Sequence, residues 1–251
     1  MVLVLVAASA GAVGLHAQMT EEPQTIEPGR ALVRMDAITL GIARNTAAPF
    51  QYNALALGTG TVSYGITDTL DIGVGAQLYL RDTVNVLGQN QTHSGIGAVT
   101  LRTKWEFLKD QSSGQQAAII PYVILPTHSN VVGNNAVQGG VILPWTIDLA
   151  AGIKFGAQFE WDELRNAANT RYDTRWYGSC DVKWELGRLL GVYAEATLSD
   201  STAGSSTFAG TVGGGATLSL SNNFQWDFEM SKVVGPNQNP WTKVVRFNWK
   251  I

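Results

Sequence analysis

Two short runs of histidine and serine are the residues whose types could carry out nucleophilic chemistry. They are His93-Ser94 and His128-Ser129-Asn130. Hydrolysis by a serine requires its hydroxyl within hydrogen-bond reach of the histidine, and a third group that orients the imidazole. Adjacent residues of a strand point to opposite faces, and both runs lie in or beside predicted loops. We therefore expect ordinary loop residues here, and the chain is predicted not to be an enzyme.

Other chemical sites leave no signature either. The histidines and the single Cys180 lack the spacing of metal ligands. Gly213–Gly215 lies inside a strand pattern and does not open a helix, so it is not a phosphate-binding loop. A net charge of −3 with 15% charged residues gives no footprint for nucleic acid. We expect no cofactor, no metal and no nucleic-acid partner, and a small apolar role for Cys180.

The charged residues instead follow a regular pattern, which is clearest in Ile153–Asp162. Apolar side chains occupy the odd positions of this stretch, and polar or small ones occupy the even positions. A period of two predicts a strand with one apolar and one polar face. About 10 residues is the length of a tilted strand that crosses a bilayer, and a charged face opposite a face that ends in tryptophan is typical of a membrane barrel.

The same alternation recurs along the whole chain and predicts about twelve strands, an even number typical of bacterial barrels. Pro121 lies inside the fifth and predicts a bulge or a break in pairing there. The predicted strands cover Leu32–Arg44, Ala54–Ile66, Leu70–Leu80, Gly97–Leu108, Gln116–Leu125, Gly140–Ile147, Ile153–Asp162, Trp176–Leu186, Leu190–Ser199, Phe208–Leu220, Phe224–Lys232 and Val245–Ile251.

The connections alternate between short turns and longer loops. Short turns such as Thr67–Thr69 and Gly187-Arg188 follow the even-numbered strands, whereas long polar loops such as Asp82–Ser94 and His128–Gln138 follow the odd-numbered ones. This asymmetry is typical of outer-membrane barrels, with the turns in the periplasm and the loops outside the cell. Tryptophans on the apolar phase are predicted to form interfacial girdles: Trp105, Trp145, Trp161, Trp176, Trp184, Trp241 and Trp249.

A strand set with a lipid-facing side must close into a ring, because each unpaired backbone group costs several kcal/mol in hydrocarbon. The polar face then lines the lumen, either as a narrow hydrated path or as a self-paired network that plugs it; the sequence leaves both open. The predicted lumen-lining residues of a permeation path are Arg102, Lys104, Glu106, Lys154, Gln158, Glu160, Asp181, Lys183, Glu185, Glu195, Asp227, Glu229 and Arg246.

The N-terminal part divides into two segments ahead of the barrel. The apolar, alanine-rich run that ends at Ala17 predicts a signal peptide over residues 1–17, although the basic start of such a signal is missing. Residues 18–30 are polar and contain Pro23 and Pro28, and we expect a flexible periplasmic arm. Residues 31–251 form the predicted barrel domain.

Short motifs along most of the remaining chain resemble a known family, the outer-membrane transporters grouped as "MetA-pathway of phenol degradation" proteins. The likeness rests on Ser94–Gly97, Leu101–Lys104, Leu125–Thr127, Gly139–Pro144 and Asn223–Asp227. It implies an outer-membrane channel for aromatic or other hydrophobic compounds.

Taken together, the sequence predicts an all-β, single-chain, antiparallel up-and-down barrel in the bacterial outer membrane. Its predicted function is to pass small compounds, including aromatic or hydrophobic ones, through a narrow charged lumen. The expected partners are outer-membrane lipid, the barrel assembly machinery and a small-molecule permeant. Two alternatives stay open: an outer-membrane hydrolase similar to phospholipases, and a structural barrel with a sealed lumen.

Overall fold

The computed structural model describes residues 20–45, 50–86, 88–127, 136–150, 152–166, 170–202, 209–234 and 240–251. The predicted signal peptide lies outside these residues, as does His128-Ser129-Asn130. Within the described chain, no helix is long and apolar enough to cross a membrane.

Regular structure in the described residues consists of strands. They are β1 (Ala31–Asn45), β2 (Phe50–Thr67), β3 (Leu70–Val86), β4 (Gln89–Gly95), β5 (Val99–Asp110), β6 (Gln115–Leu125), β7 (Gln138–Ala150), β8 (Ile153–Arg165), β9 (Tyr172–Leu186), β10 (Leu190–Ser201), β11 (Ala209–Ser221), β12 (Phe224–Val234) and β13 (Trp241–Lys250).

Each strand pairs antiparallel with its neighbours, and the sheet closes into a ring. The first strand pairs with both β2 and β13, so no edge is left at the chain ends. Residues Leu70–Ala76 of β3 pair with β5, and residues Leu80–Val86 of the same strand pair with β4. β4 and β5 therefore share one position in the ring. The ring has twelve such strand positions, which we call staves. The prediction of a closed barrel of about twelve strands is confirmed.

One strand was not predicted. The sequence predicts a loop over Asp82–Ser94, but Gln89–Gly95 forms β4, which pairs with Leu80–Val86 of β3 in a hairpin. Its sequence is polar throughout, because a strand that extends beyond the bilayer needs no apolar face. The same extension lengthens β2, β3 and β9 beyond their predicted bounds and shortens the loops at that end of the barrel. The opposite rim has tight connections, and Gly114 and Gly187 supply the positive φ angles that two of them require.

The barrel wall is apolar on its outer face and polar on its inner face, which is the reverse of a soluble protein. Phe159 on the outer face is 45% exposed, whereas its neighbour Glu160 on the inner face is 6% exposed. Exposed apolar side chains recur on the outer face of every stave, and most of the buried charged groups point inward. An apolar exterior around a polar interior is the arrangement that lipid requires of a barrel. Six of the seven predicted girdle tryptophans are exposed on the apolar phase; Trp145 is half-buried.

Strand pairing is interrupted on both sides of β6, where Pro121 predicts a bulge or a break. On the β5 side, pairing stops after Arg102–Tyr122 and resumes at Trp105–Ile119. On the other side of the same strand, pairing with β7 is interrupted between Ala117 and Ile120, opposite Pro144. Proline has no N–H to give to a ladder. A shallow groove of about 550 Å³ lies over the first break.

Candidate permeation path

The predicted lumen residues lie where the alternation put them, and the great majority are buried. Lys104, Glu106, Gln158, Glu160, Asp181, Glu195, Asp227, Glu229 and Arg246 are buried, while Arg102, Lys154 and Lys183 are half-buried. Glu185 is exposed, close to the Gly187 turn. Whether these residues line a path for solutes stays a prediction, because a second element shares the interior with them.

That element is the segment Thr20–Ile26, which lies inside the barrel. The Thr20 N–H donates to Glu195 Oε1 at 2.5 Å, and its hydroxyl donates to Ser179 at 2.7 Å. At the other end of the segment, the Thr25 hydroxyl donates to Glu106 Oε2 at 2.8 Å. This segment was predicted to be a flexible periplasmic arm; the structure places it in the lumen instead. We call it the luminal arm.

Glu21 of the luminal arm spans the barrel from side to side. Its Oε1 lies 2.6 Å from Arg102 Nη1 on β5, and its Oε2 lies 3.4 Å from Arg34 Nη1 on β1. Its backbone N–H donates to Gln158 Oε1 on β8 at 2.6 Å. β1 and β8 are six staves apart in a ring of twelve, so the contacts of this one residue cross the full width of the lumen.

Glu22 and the arm backbone make the next set of contacts. Lys183 Nζ lies 2.6 Å from Glu22 Oε1, and its positive charge lowers the pKa of Glu22 well below the usual range. Lys104 Nζ donates to two backbone carbonyls of the arm, Glu22 O at 2.7 Å and Gln24 O at 3.1 Å. Because its carbonyls accept ammonium protons, the luminal arm is held by its backbone as well as its side chains.

The arm leaves the lumen over a glycine of β2. Gly29 N–H donates to Gly65 O, and Gly65 N–H donates to Arg30 O, both at 3.0 Å. A Cβ built on Gly65 would lie 2.3 Å from Glu27 O and 2.4 Å from Ile26 O. Real Cβ atoms do not approach backbone oxygens so closely, so the passage depends on glycine at this position.

A second charged cluster closes the ring on the β1–β13 side. Arg246 on β13 is 1% exposed and contacts three carboxylates: Asp36 at 2.6 Å, Asp227 at 3.0 Å and Glu229 at 3.6 Å. Tyr193 donates its hydroxyl proton to Asp227 Oδ1 at 2.9 Å. One guanidinium thus holds acidic groups from β1 and β12 together with its own strand.

A third cluster lies on β6, β8 and β9. Arg175 Nε donates to Asp162 Oδ2 at 2.7 Å, and its Nη2 lies 3.6 Å from Glu160 Oε1. Tyr122 donates its hydroxyl proton to Asp162. The cluster therefore joins a phenol ring to a carboxylate pair on the inner wall.

Several residues of the interior were not among the predicted lining. Arg34, Tyr122, Arg175 and Tyr177 lie on the inward phase of their strands, and Glu21 and Glu22 belong to the luminal arm. One signal was available: Glu21-Glu22 is an acidic pair in a segment that otherwise lacks charge up to Glu27, and the inward faces carry cations that it could pair with.

The residues considered for hydrolysis do not assemble a triad in the described chain. His93 Nδ1 lies 3.3 Å from Asp82 Oδ1, its cross-strand partner on β3. Ser94 follows on the same strand and pairs with Arg81. In the part of the chain that the structure describes, no group of acidic, histidine and cysteine side chains could hold a metal ion.

Comparison with known proteins gives one family match. A family model described as "Putative MetA-pathway of phenol degradation" matches residues 41–249. No curated protein matches the sequence.

Solved structures with the same architecture are outer-membrane barrels. The COG4313 outer membrane channel from Pseudomonas putida F1 has a TM-score of 0.69 at 10% identity, over 94% of this chain and 100% of that one. The NanC porin has a TM-score of 0.54 at 11% identity, over 86% and 100%. The CymD monoaromatic hydrocarbon channel has a TM-score of 0.51 at 10% identity, over 98% and 93%. At these identities the likeness concerns the fold.

Proposed function

Because the chain belongs to the family described as MetA-pathway of phenol degradation, we propose that its barrel passes small aromatic or otherwise hydrophobic compounds across the outer membrane. One observation carries the proposal: the interior is polar, and the contacts described between the luminal arm and the wall are hydrogen bonds and ion pairs. Such contacts exchange with water and solutes, whereas a packed apolar core would not. The proposal therefore expects the lumen to open without unfolding of the wall.

The aromatic part of the proposal is supported by phenol rings on the inner face. Tyr122, Tyr177 and Tyr193 lie on the inward phase of β6, β9 and β10. The Tyr177 hydroxyl is buried and lies beside Thr197 on β10. A ring face beside a buried polar group suits a small aromatic compound that carries a hydroxyl or a carboxyl group.

A second candidate function is favoured by the luminal arm itself. Glu21 contacts the wall on both sides of the lumen, as expected of a structural barrel that is permanently sealed. The two candidates differ in what happens when the arm is loosened: a channel conducts, whereas a sealed barrel stays closed or unfolds.

Solute flux in proteoliposomes tests the proposal. We compare the full chain with a Gly65→Ala variant, in which the added Cβ displaces the arm without changing any charge. Gly178→Ala is the matched control, because a Cβ there meets only Gln158 O at 3.9 Å. The proposal expects flux of small neutral solutes, with a larger rate in Gly65→Ala and no change in Gly178→Ala. Absence of flux in all three proteins would leave the sealed barrel, and ester hydrolysis that vanishes in His93→Ala would favour the enzyme.

A further inference from the structure

We infer that Arg34 and Arg102 form a carboxylate-binding site inside the barrel, and that Glu21 of the luminal arm is a tethered occupant which a permeant carboxylate replaces. The inference rests on the proposed channel function and names a substrate class for it: small organic anions with a carboxylate group, aromatic acids such as benzoate among them.

The geometry of Glu21 is that of a bound carboxylate ligand. Its two oxygens contact different arginines, Oε1 with Arg102 at 2.6 Å and Oε2 with Arg34 at 3.4 Å. Planar carboxylates are recognised by guanidinium groups in this way. The two arginines come from β1 and β5, so the wall supplies the backbone positions of the site.

The site has donor capacity that Glu21 does not fill. The Nε atoms of Arg34 and Arg102 are both buried and have no hydrogen-bond partner among the residues that the structure describes. A buried donor without a partner is costly, and each guanidinium presents five N–H groups. An anion with freer placement than a tethered side chain could engage more of these donors.

Both arginines depend on an anion from outside the wall. Among the described residues, Glu21 is the only carboxylate within ion-pair distance of either guanidinium. Lys183 differs, because Asp181 on its own strand lies 3.6 Å away and can take over when Glu22 leaves. Withdrawal of the arm would therefore remove the closest carboxylate from both guanidinium groups. The more distant Asp71 and Asp36 would offset their charge only in part, which is unfavourable in the interior.

Because Glu21 and a solute carboxylate would compete for the same two arginines, release of the luminal arm and binding of the anion are coupled. A solute carboxylate that pairs with Arg34 and Arg102 removes the penalty of releasing Glu21, whereas a neutral solute of the same shape does not. By linkage, the arm weakens the binding of the anion by the same factor that the anion weakens the binding of the arm. Gly73 on β3 leaves room for the Arg102 side chain, because a Cβ at this position would lie 3.1 Å from Arg102 Cγ.

Chemical labelling of the arm tests the exchange. Thr20 is 1% exposed when the arm is docked, so a Thr20→Cys reporter reacts slowly with a maleimide until the arm is released. The reporter is placed in a Cys180→Ser background, because Cys180 is exposed on the outer wall. The probes are benzoate and benzamide, which share one shape but differ in charge.

Benzoate is expected to raise the labelling rate by about tenfold, the factor that one charge-assisted hydrogen bond supports. Benzamide at the same concentration should leave the rate unchanged. Arg102→Gln and Arg34→Gln should each abolish the difference between the probes, whereas Lys250→Gln, which removes an exposed cation near the end of β13, should preserve it. Glu21→Gln should lower the benzoate concentration needed for half-maximal effect.

Equal effects of benzoate and benzamide, or a benzoate response that survives in both arginine variants, would overturn the inference. Flux of neutral sugar through the Gly65→Ala variant reports separately on the channel. Flux without carboxylate preference would remove the site and keep the channel, and a benzoate response without any flux would keep the site and remove the channel.

Discussion

Arg246 Nε lies 2.6 Å from Asp36 Oδ1 and so joins the last strand of the barrel to the first. The same guanidinium contacts Asp227 on β12. Backbone hydrogen bonds between Ala31 and Ile251 seal this junction at the rim, at 3.0 and 2.8 Å. The junction is thus held by a buried ion cluster inside and by the ladder along its length.

Replacing Arg246 should destabilise the barrel. Arg246→Gln leaves Asp36, Asp227 and Glu229 without their shared cation, and removing one partner of a buried ion cluster costs about 3–5 kcal/mol. The midpoint of urea unfolding in lipid should fall accordingly. Asp36→Asn in the same chain should recover part of the loss, because it removes one unpaired charge. Lys250→Gln, an exposed change on the same strand, should stay within about 0.5 kcal/mol of the parent; a loss of equal size there would refute this view of the junction.

A charge on the outer face should also be costly, since that face meets hydrocarbon. Val74 is exposed near the middle of the apolar stretch of β3, and Val74→Arg should cost about 2–4 kcal/mol of unfolding free energy in lipid. Gln91→Arg is the control, because Gln91 lies on β4 in the polar extension of the wall. Similar stabilities of the two variants would contradict a lipid-facing Val74.

Removal of the Glu21 charge should weaken the docking of the luminal arm, as the added Cβ of Gly65→Ala does. Glu21→Gln removes the charge that pairs with Arg102 and Arg34, so single-channel conductance in planar bilayers should rise, as in Gly65→Ala. Glu27→Gln, an exposed change just outside the lumen, should leave conductance at the parent level. If neither Glu21→Gln nor Gly65→Ala alters conductance, the arm does not control the lumen.

The docking of the arm should persist in mild acid. The pKa of Glu22 is lowered in the docked state by Lys183, so its contribution is complete above the ordinary carboxyl pKa and is lost as pH falls through the lowered value. Because only the thiolate reacts, the labelling rate of the Thr20→Cys reporter is divided by the rate of a small free thiol at the same pH. This ratio should be constant between about pH 8 and about pH 6 and rise only below about pH 4.5. A rise that begins near neutral pH would mean that another group controls the arm.

The sequence was most informative where lipid imposes a period of two. Ile153–Asp162 predicted its own strand and the burial of Glu160, because one face must be apolar and the other must not. It was uninformative where neither lipid nor a core constrains the residues. β4 carries no alternation, and the luminal arm is short, polar and contains prolines, like a flexible linker. The pairing of Glu21 with Arg102 depends on tertiary placement across 81 positions, which no local pattern encodes.

The contacts of Glu21 with opposite staves have a mechanical consequence. A ring tied across its diameter resists being flattened into an ellipse by the lateral pressure of the surrounding lipid. Because Glu21 contacts both β1 and β8, we expect the docked arm to resist such flattening and to reduce the strain on the weakly paired β6. When Glu21 loses these contacts, we expect the barrel to deform more easily, so that the shape of its lumen depends on the surrounding membrane.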